Sequence, residues 1–268
     1  MEQINLNFTS KIIDRGDHIL SVLIEADSFV YGVFDKKHNL VSAGMHDIDM
    51  QSSDPLAKIL ADEQLTSDYY KVVISNSTSE FAHLSSLDFG AGDFGVYFND
   101  MSVGDEILSD QFTDSDVHVI FPVNSNLRSK LIALFQPSSE IHISTAMRQF
   151  VYPSQSRRDV VLVGDDRLHY MSYNGGDLAM YNAYNYRTKE DFLYYLQLAT
   201  DFSGMDREKN TLEVGGWLGK SSDIYKLIAP YYRHIEWVNL PYMTVASSND
   251  RHLKHHYFAL YAGALCVS

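Results

Sequence analysis

A pattern of three β-rich runs separated by polar turns occurs twice in this sequence, and it constrains the fold more than any other feature. The first copy spans residues 17–44, with its first turn at 25–28, and the second spans residues 158–185, with its first turn at 164–166. β-branched and aromatic residues bounded by turn residues are typical of strands. Each copy therefore predicts an antiparallel meander of three strands.

Alternating helix and strand patterns follow each meander. In the first half, apolar spacing predicts a helix over 54–65 with Asp54 as its N-cap, and the residues on one face of it are Leu56, Ile59, Leu60 and Leu65. The other elements predicted there are strands at 69–75, 96–98, 117–123 and 141–143, a helix over 126–136 capped by Asn126, and a helix from about Thr145. Those of the second half are helices over 188–202, 221–234 and 253–267, with Thr188 and Asp191 as a capping box, and strands at 210–216 and 235–240.

The polar stretch PSQSRR at 153–158 is the predicted boundary between the two halves. Since the order of elements repeats across it, we expect an α/β fold of two similar subdomains, 1–153 and 154–268, each with a β-meander and alternating helices and strands. The length of 268 residues fits two domains of roughly 150 residues each.

Composition excludes several classes of protein. The net charge is −14, with 21 basic and 35 acidic residues and no basic stripe, which disfavours a phosphate backbone as a partner. The single cysteine, Cys266, cannot form an intrachain disulfide. The N-terminal residues have no basic segment followed by an apolar one, and no apolar run reaches the ~20 residues of a membrane-spanning helix. We therefore expect a cytoplasmic protein that neither binds nucleic acid nor inserts into a membrane.

Three segments of the chain stand out: LIEADSFVYGVFD and VLVGDDRLHYMSY around the first turns of the two meanders, and LEVGGWLG at the end of a later strand. Together with the duplicated order of elements, they resemble the actin-like ATPase fold, a ribonuclease H-like fold shared by actin, sugar kinases and the Hsp70 chaperones. In those families each first turn is usually Asp-x-Gly-(Thr/Ser), and a Gly-Gly after a later strand receives the adenosine. The chain is also similar, through FGVYFND, LEVGGWLGKSSDIYKLIAPYYRHIEWV and YFALYAGAL, to a bacterial family of two-domain proteins of this fold known only as a domain of unknown function.

The resemblance implies a nucleotide site at Glu25, Asp27, Ser28, Asp165, Asp166, Gly215 and Gly216. Glu25 takes the position of the metal-directing Asp, Asp27 replaces the glycine, and Ser28 takes the hydroxyl position. In the second turn, Arg167 stands where a small hydroxyl residue is expected. Glycine lets backbone N–H groups approach a phosphate closely. The loss of both turn glycines therefore predicts a degenerate site.

Two interpretations of the acidic turns stay open. Asp27 and Asp165 would each oppose a phosphate by roughly 4 kcal/mol at about 4 Å and an effective dielectric constant near 20, and Mg²⁺ held by the carboxylates would offset this. Alternatively, they are ordinary turn residues, because an Asp side chain bonds nearby backbone N–H groups. For Gly215-Gly216 the alternatives are contact with an adenosine and a tight strand-to-helix turn.

The histidines and tyrosines give weaker indications. His252 and His256 have the i, i+4 spacing of zinc ligands on a helix, but the sequence identifies no third ligand, so we predict neither a metal site nor a catalytic residue. His169 lies close to the second turn, where it is either a base or a packed side chain. Tyrosines cluster in 169–187 and 191–198, which indicates a face for a protein partner or for self-association.

We therefore expect a non-catalytic scaffold or protein-interaction module with a degenerate nucleotide site, acting with a protein partner or as a homodimer. The resemblance extends to type IV pilus and cell-division members of the same fold, which act through partner peptides. The alternative is a Mg²⁺-dependent ATPase or small-molecule kinase of the actin-like superfamily, with ATP and magnesium as its cofactors.

Overall fold

The computed structural model describes residues 8–9, 16–49, 52, 54–90, 92–98, 101, 104–113, 115–151, 156–240, 242–245 and 251–267. The strands are β1 (Phe8–Thr9), β2 (Ile19–Ile24), β3 (Ser28–Phe34), β4 (Leu40–Asp47), β5 (Lys71–Asn76), β6 (Ala82–Ser85), β7 (Asp105–Gln111), β8 (Val117–Asn124), β9 (Ser139–His142), β10 (Arg158–Val163), β11 (Arg167–Asn174), β12 (Asp177–Asn185), β13 (Thr211–Gly216) and β14 (His234–Trp237). The α-helices are α1 (Ala57–Leu60), α2 (Ser86–Gly90), α3 (Ser125–Phe135), α4 (Ile143–Val151), α5 (Lys189–Phe202), α6 (Asp223–Ile228) and α7 (Phe258–Leu265), and 3-10 helices span Phe94–Tyr97 and Arg251–Tyr257.

Two sheets repeat one topology. Sheet 1 has the strand order β1-β4-β3-β2-β5-β9, and sheet 2 has the order β12-β11-β10-β13-β14. In each sheet the three strands of the meander pair antiparallel, and the two later strands run parallel to the first strand of the meander. The predicted duplication is confirmed. In the described part of the chain, β1 has no counterpart in sheet 2.

The central strand of each sheet is apolar because both of its faces are covered. β2 (ILSVLI) is buried along its whole length, and β10 is buried from Asp159 to Val163. Continuous apolar runs of this kind are typical of strands packed on both faces. One face of β2 packs with apolar residues of α3, and the other face packs with α4 and α7.

α7 links the C-terminal residues to sheet 1. Its sequence FALYAGAL is apolar, and its residues from Phe258 to Ala264 are buried. Gly263 allows a close approach to β2 and β5, because a Cβ there would lie 2.7 Å from the Ser21 hydroxyl and 3.1 Å from the Ser75 hydroxyl. The predicted boundary at 153 falls among residues 152–155, outside the described part, and the division of the chain at that point stays a prediction.

Sheet 3, of order β6-β8-β7, was not anticipated beyond β8, and it lies between β5 and β9 in the chain. The strand predicted at 96–98 is wrong, because Phe94–Tyr97 form a 3-10 helix. The other strand beside β8 is β7. Its sequence DEILSDQ has a weak strand pattern, but it pairs with β8 along its full length. Pairing with a neighbour thus overrides local propensity here.

The helix boundaries required several corrections. The helix predicted over 54–65 is only α1, and Leu60, predicted on the buried face, is 47% exposed. Asp54 is not its N-cap, although the Asp54 carboxylate accepts a hydrogen bond from the Leu56 N–H at 3.3 Å. The chain turns away at Asp62, whose carboxylate accepts hydrogen bonds from the Tyr31 hydroxyl and the Gln64 N–H.

Three other helices differ from the prediction, and one agrees with it. The helix predicted over 253–267 begins as a 3-10 helix that ends at Tyr257, and only α7 is α-helical. α3 is capped by Asn124, which accepts from the Leu127 N–H at 3.0 Å, rather than by Asn126. α6 ends at Ile228, shortly before Pro230, because proline has no backbone N–H with which to continue the helical hydrogen bonds. The capping box of Thr188 and Asp191 at the start of α5 is confirmed.

Candidate functional site

The two turns predicted to face a nucleotide have the same geometry. In the β2–β3 turn the Glu25 N–H donates to the Ser28 carbonyl at 2.9 Å, and in the β10–β11 turn the Gly164 N–H donates to the Arg167 carbonyl at 2.8 Å. Each turn thus has two residues between its closing pair. This equivalence follows from the duplicated meander, which ends β2 and β10 in the same way.

A cavity of about 260 Å³ brings the acidic residues of both turns together. It is lined by Glu25, Ala26, Asp27, Ser28, Met45, Asp47, Ile48, Asp165 and Asp166. Five of the seven predicted site residues therefore lie in one cavity, and the other two, Gly215 and Gly216, do not line it. No basic residue lines this cavity among the described residues, so its charge is that of an acidic pocket.

The Glu25 side chain occupies the space beside Gly164. Glu25 is 6% exposed, its Cδ lies 3.4 Å from the position that a Cβ on Gly164 would take, and its Oε1 lies closer still. The Ser28 hydroxyl donates to Glu25 Oε2 at 3.3 Å. Gly164 is thus required, because the Glu25 carboxyl group fills the gap between the two turns and leaves no room for a Cβ at position 164.

Burial and like charges favour the neutral form of the Glu25 carboxyl. Burial is the largest cause, and Asp166 and Asp165 add to it, so that the pKa of Glu25 rises to about 7, while the Arg167 guanidinium and the Ser28 hydroxyl act in the opposite direction. Burial, followed by the charge of Asp166, also raises the pKa of Asp165. These carboxyls repel one another, which is unfavourable for binding a further anion.

Arg167 spans the cleft between the two halves. Its Nη1 donates to the Ser77 carbonyl, its Nε donates to the Asn185 side chain at 3.0 Å, and Asp166 lies 3.8 Å from it. Sequence reasoning noted Arg167 only as a departure from the family pattern. In the structure it is the cation that partly balances the acidic turns.

A buried chain of hydrogen bonds lies behind Arg167. The Ser77 hydroxyl contacts His169 Nε2 at 2.8 Å, and His169 Nδ1 contacts the Tyr181 hydroxyl at 2.8 Å. Burial lowers the pKa of His169 well below its usual value, and both ring nitrogens are engaged. His169 therefore has the environment of a packed side chain. The signal for Ser77 was a polar residue directly after a buried parallel strand, the place where ligands and functional groups collect in α/β sheets.

Gly215 and Gly216 both have a packing reason. A Cβ on Gly215 would lie 2.5 Å from Cδ1 and 2.9 Å from Cβ of Phe258. Gly216 has a φ of 86° and lies against the backbone of Val163, with Leu162 Cδ1 2.9 Å from the position of a Cβ. The tight turn accounts for both glycines, and a nucleotide role for them stays a prediction.

A larger cavity of about 540 Å³ lies next to this turn. It is lined by Tyr186, Arg187, Thr188, Lys189, Trp217, Leu218, Gly219, Ser221, Ser222, Asp223 and Ile224. Sequence reasoning placed only Gly215-Gly216 near it. Its lining comes from two loops, one before α5 and one before α6, and only the tertiary fold brings these loops together.

Among the side chains that the structure describes, the histidines near the C-terminus form no recognisable metal centre. His255 Nε2 contacts the Leu218 carbonyl at 2.9 Å, and the His255 ring stacks on Trp237 with 4.1 Å between ring centroids. The side chain of His252 lies outside the described residues. In the parts of the chain that the structure describes, no three His, Cys, Asp or Glu side chains converge as metal ligands would.

The family model described as "Protein of unknown function (DUF3822)" matches residues 8–235. No curated protein sequence is significantly similar to the chain. None of the described helices has the length and apolar character needed to cross a bilayer.

Solved structures show the fold. A Bacteroides thetaiotaomicron protein with an actin-like ATPase fold and unknown function is 16% identical and superimposes with a TM-score of 0.72 over 85% of this chain and 95% of its own. The PilM–PilN type IV pilus biogenesis complex gives 12% identity and a TM-score of 0.67 over 94% and 99%. The cytoplasmic domain of EpsL, from the type II secretion system of Vibrio cholerae, is 11% identical and superimposes with a TM-score of 0.51, over 94% of this chain and 95% of its own. The chain therefore has the actin-like ATPase fold that the sequence predicted.

Proposed function

Given that this chain belongs to the DUF3822 family, of unknown function, and has the actin-like ATPase fold, we propose that it is a non-catalytic protein-interaction module whose nucleotide site has degenerated. The observation that carries the proposal is the position of Glu25. Its carboxyl group fills the gap between the two turns, against Gly164, where the fold family places phosphate groups. A phosphate entering there would have to expel a buried side chain.

The charge of the site supports the same conclusion. Asp27, Asp165 and Asp166 line the cavity with Glu25, and Arg167, the nearby cation, is already bonded to Ser77 and Asn185. Phosphate binding in proteins relies on backbone N–H groups and cations directed at the anion. This cavity presents carboxylates instead.

A role in protein assembly is supported by the relatives of the same fold. One of them was solved as a complex of PilM with PilN, and another is a component of a secretion system. We extend to this chain only the idea that the two-lobed fold presents a binding surface to another protein in the cytoplasm. The single Cys266 and the acidic surface are compatible with that compartment.

Thermal unfolding with and without millimolar Mg-ATP or Mg-ADP tests the proposal. A ligand present at ~100 times its dissociation constant adds about 2.7 kcal/mol of stability. We expect an unchanged midpoint for the wild type, and a clear rise would overturn the degenerate-site proposal in favour of the ATPase or kinase alternative.

A double variant tests whether protein binding is independent of the acidic turns. Asp27→Ala with Asp165→Ala removes two carboxylates of the cavity while leaving the sheets intact. We expect the variant and the wild type to retain the same tightly bound protein partners after affinity purification. Loss of those partners in the variant alone would mean that the acidic turns are themselves the working site.

A further inference from the structure

The insert between β5 and α3, residues 80–124, differs in charge from the rest of the chain. It contains sheet 3 and α2, and its sequence has nine acidic residues and no lysine or arginine. The insert therefore carries −9 of the net charge of −14 in about a sixth of the chain length. A surface of one sign attracts partners of the opposite charge and repels those of its own.

The insert also exposes apolar side chains on two neighbouring helices. Leu87 of α2 is 88% exposed, and Val96 and Tyr97 of the 3-10 helix Phe94–Tyr97 are 65% and 44% exposed. We call these three side chains the α2 surface. Single exposed apolar residues are ordinary, whereas several on one small unit are typical of a contact site for another protein.

Stacked rings hold the two helices of the α2 surface on sheet 3. Phe89 of α2 stacks on Phe94 with 5.0 Å between ring centroids, and it stacks on His118 of β8 with 4.0 Å between centroids. The exposed apolar side chains therefore belong to one packed unit.

Acidic residues surround the α2 surface. Asp88 lies on α2 beside Leu87, Asp93 directly precedes the 3-10 helix, and both are exposed. Asp116 is also exposed, and its carbonyl accepts a hydrogen bond from the hydroxyl of Ser86, the first residue of α2, at 3.3 Å. Apolar side chains flanked by carboxylates are complementary to a segment in which cations flank apolar residues.

Two cations reach the insert from outside, and both contact its other edge. Arg128 donates to Glu106 of β7 at 3.0 Å, and Arg148 lies 5.0 Å from the ring centroid of Phe112, the residue after β7. α2 follows β6, which lies at the opposite edge of sheet 3 from β7. Neither contact involves the acids beside the α2 surface.

We propose that the α2 surface binds a basic segment of a partner protein, in which lysine or arginine residues flank apolar ones. The apolar side chains of that segment pack on the three exposed apolar residues, and its cations lie beside the three exposed acids. A second copy of this chain does not fit, because it would bring two inserts of charge −9 together, and the same charge repels nucleic acid and anionic lipid. The inference rests on the proposed role in protein binding, and it names the surface and the chemistry of the partner.

Peptide selection on the intact chain tests the chemistry of the partner. The probe is a random library of twelve-residue peptides displayed on phage, followed by a synthetic copy of the most enriched peptide, whose affinity is measured by fluorescence anisotropy. We expect the enriched peptides to combine a net positive charge with apolar residues. Their affinity should fall several-fold as salt rises from ~0.05 to ~0.5 M, because salt screens exposed charges.

A pair of double variants tests the apolar part of the surface. Leu87→Ala with Tyr97→Ala should weaken the peptide by roughly 10-fold or more, because a few apolar anchors carry most of the affinity of an interface. Tyr194→Ala with Phe202→Ala, which removes two exposed aromatic side chains of α5, should have no effect. Since all four positions are exposed, the thermal midpoints should stay close to that of the wild type.

A second pair tests the acids. Asp93→Asn with Asp116→Asn should weaken the peptide several-fold and reduce the dependence of its affinity on salt. Glu190→Gln with Asp223→Asn removes the same number of exposed charges elsewhere, and it should leave the affinity unchanged.

Three results would overturn the inference. One is a selection that enriches no peptide, or only peptides without a positive charge, and another is an affinity that Leu87→Ala with Tyr97→Ala leaves unchanged. The third is a dimer in sedimentation velocity that this double variant abolishes, because a second copy would then occupy the α2 surface.

Failure of the inference is distinguishable from failure of the proposed function. If the double variant Leu87→Ala with Tyr97→Ala retained the same protein partners as the wild type, the chain would still be an interaction module, but the α2 surface would not be its binding site. A thermal midpoint raised by Mg-ATP would reject the degenerate nucleotide site and would leave peptide binding at the insert unaffected.

Discussion

Glu25 determines what the space between the two turns can hold. Its side chain is accommodated because Gly164 has no Cβ. Its neutral form is favoured chiefly because it is buried, and further because Asp166 and Asp165 lie in the same cavity. The closing hydrogen bonds of the two turns put Glu25 and Gly164 at equivalent positions. The Glu25 carboxyl group therefore fills the space that the missing side chain of Gly164 leaves open.

The pKa of Glu25 predicts how stability depends on pH. The unfolded side chain has a pKa of 4.5, and the folded one about 7. Between these values the folded state retains a proton that the unfolded state has lost, so the free energy of unfolding falls as the pH rises. A shift of this size corresponds to about 3 kcal/mol. Glu25→Gln cannot titrate, and we expect it to be more stable than the wild type at pH 8.

Urea denaturation of the wild type and Glu25→Gln at pH 5, 6, 7 and 8 measures this contribution. The difference in free energy of unfolding between the two proteins reports Glu25 alone. Asp110, whose pKa burial also raises to about 7, and the buried histidines contribute equally to both proteins. Glu190→Gln, an exposed position on α5, serves as the control. A difference between wild type and Glu25→Gln that stays constant across this range would contradict the expectation.

At the scale of elements, the contact between β13 and α7 explains Gly215 without a ligand. We expect Gly215→Ala to destabilise the protein by about 2 kcal/mol, because overpacking of this kind typically costs 1–3 kcal/mol and the Phe258 Cβ, 2.9 Å away, is fixed to the backbone of α7. Gly219→Ala is the matched control, since the nearest atom to its Cβ lies at 3.8 Å. Equal midpoints of denaturation for the two variants would show that the packing reason is insufficient.

A buried ion pair joins β10, β11 and the end of α5. Asp159, 1% exposed, accepts from Arg157 Nε at 2.7 Å, from the Tyr170 hydroxyl at 2.5 Å and from the Ser172 hydroxyl at 2.8 Å. Arg157 also donates to the Ser203 carbonyl at 3.0 Å.

Breaking this pair should cost far more than breaking an exposed one. We expect Asp159→Ala to lower the free energy of unfolding by about 3 kcal/mol or more, because it leaves a guanidinium without its carboxylate. Asp223→Ala, which removes the exposed pair with Lys226 at 3.6 Å, should have little effect. Chemical denaturation of both variants measures the difference. If the two variants lost similar amounts of the free energy of unfolding, the Asp159 network would not contribute more to stability than an exposed ion pair.

The elements differ in how far the sequence determines them. The two meanders and the capping box of α5 have strong local signals, so their prediction succeeded. β7 could not be predicted, because pairing with β8 decides it. The 3-10 helix at Phe94–Tyr97 could not be predicted either, since its packing, such as the stacking of Phe94 on Phe89, is tertiary. Likewise, the acidic turns were visible as turns, but the contact of Glu25 with Gly164 and that of Arg167 with Ser77 join residues of different halves. Local patterns carry no information on such contacts.

For the whole molecule, side-chain contacts join the two halves across the cleft. Arg167 bonds to the Ser77 carbonyl, the Ser77 hydroxyl contacts His169, and α7 packs on sheet 1 while Phe258 contacts β13. These contacts link the two halves within the chain itself.

Removing the arginine should therefore loosen the cleft. We expect Arg167→Ala to speed amide hydrogen exchange at residues 76–78 and in the β2–β3 turn, because a cross-cleft bond and the cation beside Glu25 are both lost, while exchange in β10 stays slow. Hydrogen exchange followed by mass spectrometry resolves these segments. Arg187→Ala, an exposed arginine of the same half, is the control. Equal exchange at 76–78 in the two variants would mean that Arg167 does not hold the halves together, and closure would then rest on the contacts of α7.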